Sequence, residues 1–251
     1  MSGHSHWATI RRKKGAADAK RGQLFTRLAR EIVIAAREGG GDPNANTALL
    51  YAIDRARASN MPKDNIERAI KRGTGELKEG NAIEEINYEG YAPNGIALVI
   101  SCVTDNRNRA VADIRHVLNR YGGSMAEAGS VAWQFKRSAF FAFSPEGRDA
   151  DSVFELAVDA GAGDVNIEDD WIEIIGPVES FKSISNRLKE AGIEPEEAEI
   201  RMIPNTETEL SPEDTVQVIK VIDSLEELDD VHTVYSTLAI SDAAMAQLEA
   251  A

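Results

Sequence analysis

The sequence is poor in the residues that carry covalent, metal and redox chemistry. One cysteine, Cys102, stands among 251 residues, so no internal disulfide can form. It lies in the apolar run Ile96–Val103, where a buried strand residue is expected rather than a reactive thiol. No apolar stretch approaches the ~18 residues of a membrane span. The opening Met1-Ser2-Gly3-His4-Ser5-His6-Trp7 runs into charges without an apolar signal core, so a cytoplasmic location with no membrane partner is expected. The four histidines are scattered. His4 and His6, with His116 or His232, would make only a weak metal set, because no cysteine or carboxylate cluster lies near them. A nucleophile elbow, a zinc-protease helix and a nucleotide-binding fingerprint are all missing. Gly39-Gly40-Gly41 follows a helix, and no Lys-Ser/Thr opens a helix after it, so it reads as a helix stop rather than a phosphate loop. The expectation is a protein that is not an enzyme, with no cofactor, no metal and no small-molecule substrate.

What the chain does have is segregated charge. The formal net charge is −14, yet residues 1–80 carry +7, residues 81–143 are neutral and residues 144–251 carry −21. One basic module can face phosphates while an acidic one cannot. With 43% hydrophobic and 28% charged residues the chain has the composition of a folded protein, and at this length it should divide into two or three domains.

The periodicity changes along the chain. Helical spacing of Leu24, Phe25, Leu28 and Ile32 predicts a helix from about Ala16 to Glu38, stopped by Gly39-Gly40-Gly41-Asp42-Pro43. A second helix is expected near Ala45–Ala58. A third is expected after Asp64, which with Glu67 forms a capping box. From Ile83 the period becomes strand-like: Ile83–Tyr91 and Ile96–Thr104 flank the turn Ala92-Pro93-Asn94-Gly95, followed by a helix at Arg109–Tyr121 and a strand at Ser130–Phe135. Residues 139–203 then supply the βαββαβ order of a ferredoxin-like domain. The remaining helix Pro212–Leu228 and strand Val231–Leu238 complete the unfinished middle module. The expected fold is α+β multidomain: a basic helical domain (1–80), a discontinuous α+β domain (81–137 with 206–251), and an acidic α/β-sandwich domain (138–205) inserted into it.

At about 100° per residue, Lys20, Arg27, Arg30 and Arg37 fall on one stripe of the first helix. Arg68, Lys71 and Arg72 form a second stripe on the third helix, extended by Lys63. With Arg21 and the arm Arg11-Arg12-Lys13-Lys14 these are the candidate phosphate contacts, since basic arms and faces hold nucleic-acid backbones without reading bases. Trp7 either stacks on a base or anchors the arm. In the loop Asp105-Asn106-Arg107-Asn108-Arg109, Asp105 or Asn106 caps the next helix, while Arg107 and Arg109 either bind a partner or brace a domain interface. The acidic tracts Glu194–Glu199 and Glu226–Asp230 are expected to be solvated faces.

The same residues resemble the YebC family. The resemblance spans essentially the whole chain, through Gly3-His4-Ser5-His6-Trp7, Asp18-Ala19-Lys20-Arg21-Gly22 with Phe25, Gly39-Gly40-Gly41-Asp42-Pro43, Asn60–Ile70, Tyr88–Gly95 and Asp105–Arg109. It departs after Gly122-Gly123, where Ser124-Met125-Ala126-Glu127 replaces the family's usual asparagine-leucine-glycine start. The resemblance implies three domains, together with DNA binding in transcription regulation for some members and action on the ribosome, easing synthesis through proline-rich stretches, for others. The expected partner is accordingly nucleic acid: DNA for a transcriptional regulator, or ribosomal RNA for a translation factor. An acidic protein-binding adaptor is the third alternative.

Overall fold

The computed structural model describes residues 19–77, 83–145, 147–168 and 171–250, with side chains from residue 24 onward except at 242, 249 and 250. Two compact units divide the described chain: residues 135–205, and the remainder.

The larger unit begins with three helices, α1 (Ala19–Gly39), α2 (Thr47–Ala58) and α3 (Lys63–Gly73). One buried side chain joins the first two. Asn46 Oδ1 accepts from the Leu49 N–H at 3.1 Å to start α2, while its Nδ2 donates to the Ala35 and Gly40 carbonyls at 2.7 and 2.8 Å, satisfying the end of α1. Leu28, Ile32, Val33, Leu49, Ile53 and Ile66 form the core of this bundle. Leu24, expected inside, is 41% exposed. The start of α3 also differs from expectation. The helix begins at Lys63 behind Pro62, with no side-chain cap, and Asp64 lies inside the first turn. The tight turn at Asn60, with φ of 59°, and the Pro62 carbonyl, which accepts from the Asn65 and Ile66 N–H groups, set the start two residues early.

The bundle core continues through Ile83 and Val103 into a four-stranded antiparallel sheet. Its strands are β1 (Glu84–Tyr91), β2 (Ala97–Thr104), β3 (Ser124–Ala126) and β9 (Val231–Ser236), in the order β3-β1-β2-β9. Leu98, Ile100 and Cys102 of β2 bury on α4 (Arg107–Arg120) and α7 (Pro212–Glu226), meeting Ile114, Leu118 and Ile222. The strand expected at Ser130–Phe135 does not form. Gly129, Val131 and Ala132 give their N–H groups to the Glu89 carboxylate at 2.6, 2.6 and 2.9 Å, which leaves nothing for a ladder there. A short helical turn at Ala132–Gln134 follows instead. A C-terminal helix, α8 (Asp242–Ala250), was not anticipated; its Ala244 and Leu248 complete the core beside α7. Two two-residue strands, β8 (Thr208–Glu209) and β10 (Leu238–Ala239), pair in parallel.

The smaller unit runs β4 (Phe135–Phe143), α5 (Ala150–Asp159), β5 (Asp164–Ile167), β6 (Ile172–Pro177), α6 (Phe181–Glu190) and β7 (Glu197–Pro204). Its antiparallel sheet has the order β5-β6-β4-β7, the ferredoxin-like arrangement. Alternation on β4 puts Ala139, Phe141 and Phe143 against Val153, Ile184 and Leu188 of the two helices, and Phe140 and Ala142 on the opposite face with Trp171. The unit begins at Phe135 rather than near residue 138, because β4 is one continuous nine-residue strand.

Candidate nucleic-acid interface

The three arginines of the α1 stripe whose side chains are described have been recruited into the fold. Arg27 donates through Nη2 to the Glu226 carbonyl, Arg30 through Nη1 to the Asp229 carbonyl, and Arg37 through Nη1 to the Ile83 carbonyl at 2.5 Å. Arg30 also stands 3.4 Å from Asp230 Oδ1. A helical face that reads as a phosphate track is thus the side by which α1 grips the turn between α7 and β9. The acidic run Glu226–Asp230, expected to be a solvated face, is the counterpart of that grip, and Asp230 is 4% exposed.

Arg109 supplies the second hold on Asp230. Its Nε and Nη2 donate to the two carboxylate oxygens at 2.8 and 2.7 Å, and Nη2 also donates to Asp105 Oδ1 at 2.9 Å. Hydrogen bonding to Asp230, ahead of that to Asp105, raises the Arg109 pKa. The Arg109 side chain in turn holds the Asp105 carboxyl below its ordinary value. Arg107 pairs with Glu84, and Asn106 is the residue that caps α4, accepting from the Arg109 N–H at 3.1 Å. These bonds of Arg107 and Arg109 all lie within the larger unit.

The cations of α3 are placed differently. Lys63 is 86% exposed along its side chain, with Glu67 3.6 Å away. Arg68 and Lys71 are exposed, and Arg72, one turn beyond Arg68, is half-buried. Arg68 and Arg72 line a cavity of about 380 Å³ between α1 and α3, with Phe25, Ala29, Val33 and Met61 among its apolar residues and Asp105 also in its lining. Lys20 and Arg21 lie at the start of α1, where only the backbone is described; Trp7, Arg11, Arg12, Lys13 and Lys14 lie outside the described residues. Of the sequence-predicted contacts, Lys63, Arg68, Lys71 and Arg72 are therefore brought together on one helix, whereas Arg27 and Arg30 are turned into the seam.

Residues 5–76 match the TACO1/YebC protein N-terminal domain, and residues 83–238 match the TACO1/YebC second and third domain. The chain belongs to the TACO1/YebC family. A member from Chlorobaculum tepidum, named a "probable transcriptional regulatory protein", is 52% identical over 250 residues, covering 99% of each chain. One of the same name from Acidithiobacillus ferrooxidans is 51% identical over 100% of this chain and 99% of its own. The crystal structure of a conserved hypothetical protein from Aquifex aeolicus superposes with a TM-score of 0.80 at 38% identity, over 90% of this chain and 93% of that one. This TACO1/YebC chain thus shares a multidomain α+β fold with a solved structure.

Two features of the TACO1/YebC chain gave little sign in its sequence. Glu89 is a charged residue in an otherwise ordinary strand, yet its carboxylate organises the loop at Gly129–Ala132. Burial pushes its pKa up, but the N–H groups of Gly129, Val131 and Ala132 outweigh that and hold it below its ordinary value. The same loop presents Trp133, 72% exposed, its indole N–H tied back to the Ser130 carbonyl at 2.9 Å. No group of His, Cys, Asp and Glu side chains among the described residues could hold a metal ion.

Proposed function

We propose that this chain is a nucleic-acid-binding transcriptional regulatory protein that takes DNA by its phosphate backbone, through the exposed cations of α3 together with the basic N-terminal arm. The observation that carries the reading is the contrast between the two cationic helices. Arg27, Arg30 and Arg37 of α1 are spent on carbonyls and Asp230, whereas Lys63, Arg68 and Lys71 remain at the surface. Exposed cations on one helix face are suited to phosphate contacts, which give affinity without base readout. The names of the relatives from Chlorobaculum tepidum and Acidithiobacillus ferrooxidans support transcription as the process. The strongly negative remainder of the chain repels a polyanion and so favours one orientation on it. No catalytic step, metal or cofactor enters the proposal. It carries a cytoplasmic site of action with it, and no helix among the described residues is long and apolar enough to cross a membrane.

The composition of α3 favours a second reading, a translation factor on ribosomal RNA. Its surface intersperses the cations with Asp64 and Glu67 and offers one amide, Asn65. That set is suited to phosphates and groove shape more than to a run of base edges. Crosslinking the protein in living cells and sequencing the attached nucleic acid separates the two. Enrichment of promoter DNA supports the first reading, enrichment of ribosomal RNA replaces it with the second, and recovery of neither overturns both.

A further inference from the structure

The lining of the cavity between α1 and α3 combines two kinds of chemistry. Phe25, Val33 and Met61 give it an apolar wall that includes one aromatic ring. Arg68 and Arg72 give it guanidinium groups one helical turn apart, continuous with the exposed cations Lys63 and Lys71. Arg30 and Asp105, also in the lining, are both fixed, Arg30 by Asp230 and the Asp229 carbonyl, Asp105 by Arg109. Asn65, also in the lining, offers an amide that both donates and accepts.

A volume of about 380 Å³ lies within the ~300–1,000 Å³ of small-ligand sites. It is too small for a base pair with its two backbones. A flat apolar group with hydrogen-bonding edges, attached to a phosphate, matches this lining: the ring against Phe25 and Met61, the phosphate on Arg68 and Arg72, the edge toward Asn65 and Asp105. An aliphatic anion would leave the Asn65 amide unused, and a polyphosphate would leave the apolar wall unused.

We propose that this cavity receives a single unpaired nucleotide of a bound strand, splayed out of its stack, while the neighbouring phosphates run along Lys63 and Lys71. The proposal rests on the reading of α3 as the phosphate-binding face and adds to it the kind of nucleic acid taken. Fully paired duplex gains only the backbone contacts, whereas a strand with an unpaired base gains the cavity as well. The energetic difference is that of one base on an aromatic wall, in a site that every base can enter through its flat face.

The test measures binding of the full chain to two duplexes of equal phosphate count, one fully paired and one with a single-nucleotide bulge, each made in DNA and in RNA, with AMP as a free-nucleotide competitor. The bulged forms should bind about tenfold more tightly than the paired ones, within the range expected for one stacked base. Ala29→Leu, which fills the cavity without altering charge, should abolish that preference and leave paired-duplex affinity and its salt dependence unchanged. Should Ala29→Leu fail to fold, a photoreactive 5-iodouracil at the bulge supplies the second readout, and its crosslink should fall on the peptides containing Phe25 or Met61. Equal affinity for paired and bulged duplexes, a preference that survives Ala29→Leu in a folded protein, or a crosslink confined to other peptides would overturn the cavity proposal while leaving the phosphate reading intact. Tight AMP binding with indifference to the bulge would assign the cavity to a free nucleotide and overturn it equally. Absence of salt-dependent binding to any of the duplexes would instead overturn the underlying reading, and this proposal with it.

Discussion

At the scale of single residues, the polar side chains that matter most are those whose partners are distant in sequence. Asn106 was legible as a cap because the backbone it serves is three residues away. Asp230 was not: it reads as one carboxylate in an acidic run, and its arginines, Arg30 and Arg109, come from helices far earlier in the chain. Glu89 was equally silent. Replacing it by Gln keeps the shape but removes the charge from three N–H acceptor contacts, and Glu89→Gln should destabilise the protein by about 1–3 kcal/mol in denaturant titration. The pH dependence has a definite sign. Because the folded carboxyl is held below its ordinary value of 4.5, its contribution is fully present above that pH and disappears as the pH falls through the lower folded value. The difference in stability between the parent and Glu89→Gln should therefore be constant from pH 8 to about 5 and shrink below about 4.5. A difference that grows on acidification would contradict this account of the loop.

Among the elements, those with a strong period were readable from the sequence, and those defined by contacts were not. The βαββαβ run was clear because each strand alternates and each helix carries an apolar stripe, as Phe141 and Phe143 against Ile184 and Leu188 illustrate. The segment Ser130–Phe135 misled because its apolar residues mimic a strand while its N–H groups belong to Glu89. The short helix α8 has an alanine-rich sequence with little amphipathic signal, and its place is set by Ala244 and Leu248 meeting α7. Gly73 shows how closely α3 approaches α1: a Cβ there would stand 2.5 Å from the Val33 carbonyl oxygen and 2.7 Å from the Ala36 Cβ. Gly73→Ala must push the end of α3 off α1, and a loss of about 1–3 kcal/mol is expected. Thermal unfolding checks it, and a neutral or stabilising Gly73→Ala would show that the two helices are not held at this distance. The proposed binding face was half legible from helix periodicity. Both stripes were visible, but only packing reveals that the α1 stripe faces the α7–β9 turn, whereas the α3 stripe faces outward.

For the whole molecule, two properties remain to be tested, the continuity of the chain through its smaller unit and the division of charge. Phe135 and Pro204 are direct partners across β4 and β7, so the chain enters and leaves the smaller unit at adjacent points. Replacing residues 135–205 by a short Gly-Ser linker should leave a soluble protein that retains the secondary structure of the larger unit by circular dichroism and unfolds cooperatively. A molten or insoluble product would show that the larger unit depends on the smaller one. The excised unit is also strongly acidic, so the shortened protein should bind nucleic acid at least as tightly as the full chain at low salt.

The division of charge is the property on which the functional account stands, and the salt dependence of binding tests it most directly. If Lys63, Arg68 and Lys71 neutralise phosphates, each contact releases condensed counterions, and the slope of log affinity against log salt is about −0.9 per contact on duplex DNA or about −0.7 on a single strand. Neutralising the three together should flatten the slope by roughly two to three units and weaken all sequences alike. Neutralising Arg187 and Lys189 of α6, equally basic positions on the acidic unit, should leave the slope unchanged. An unaltered slope in a folded Lys63→Ala, Arg68→Ala, Lys71→Ala protein, or an equal loss on neutralising Arg187 and Lys189, would contradict the assignment of the interface to α3.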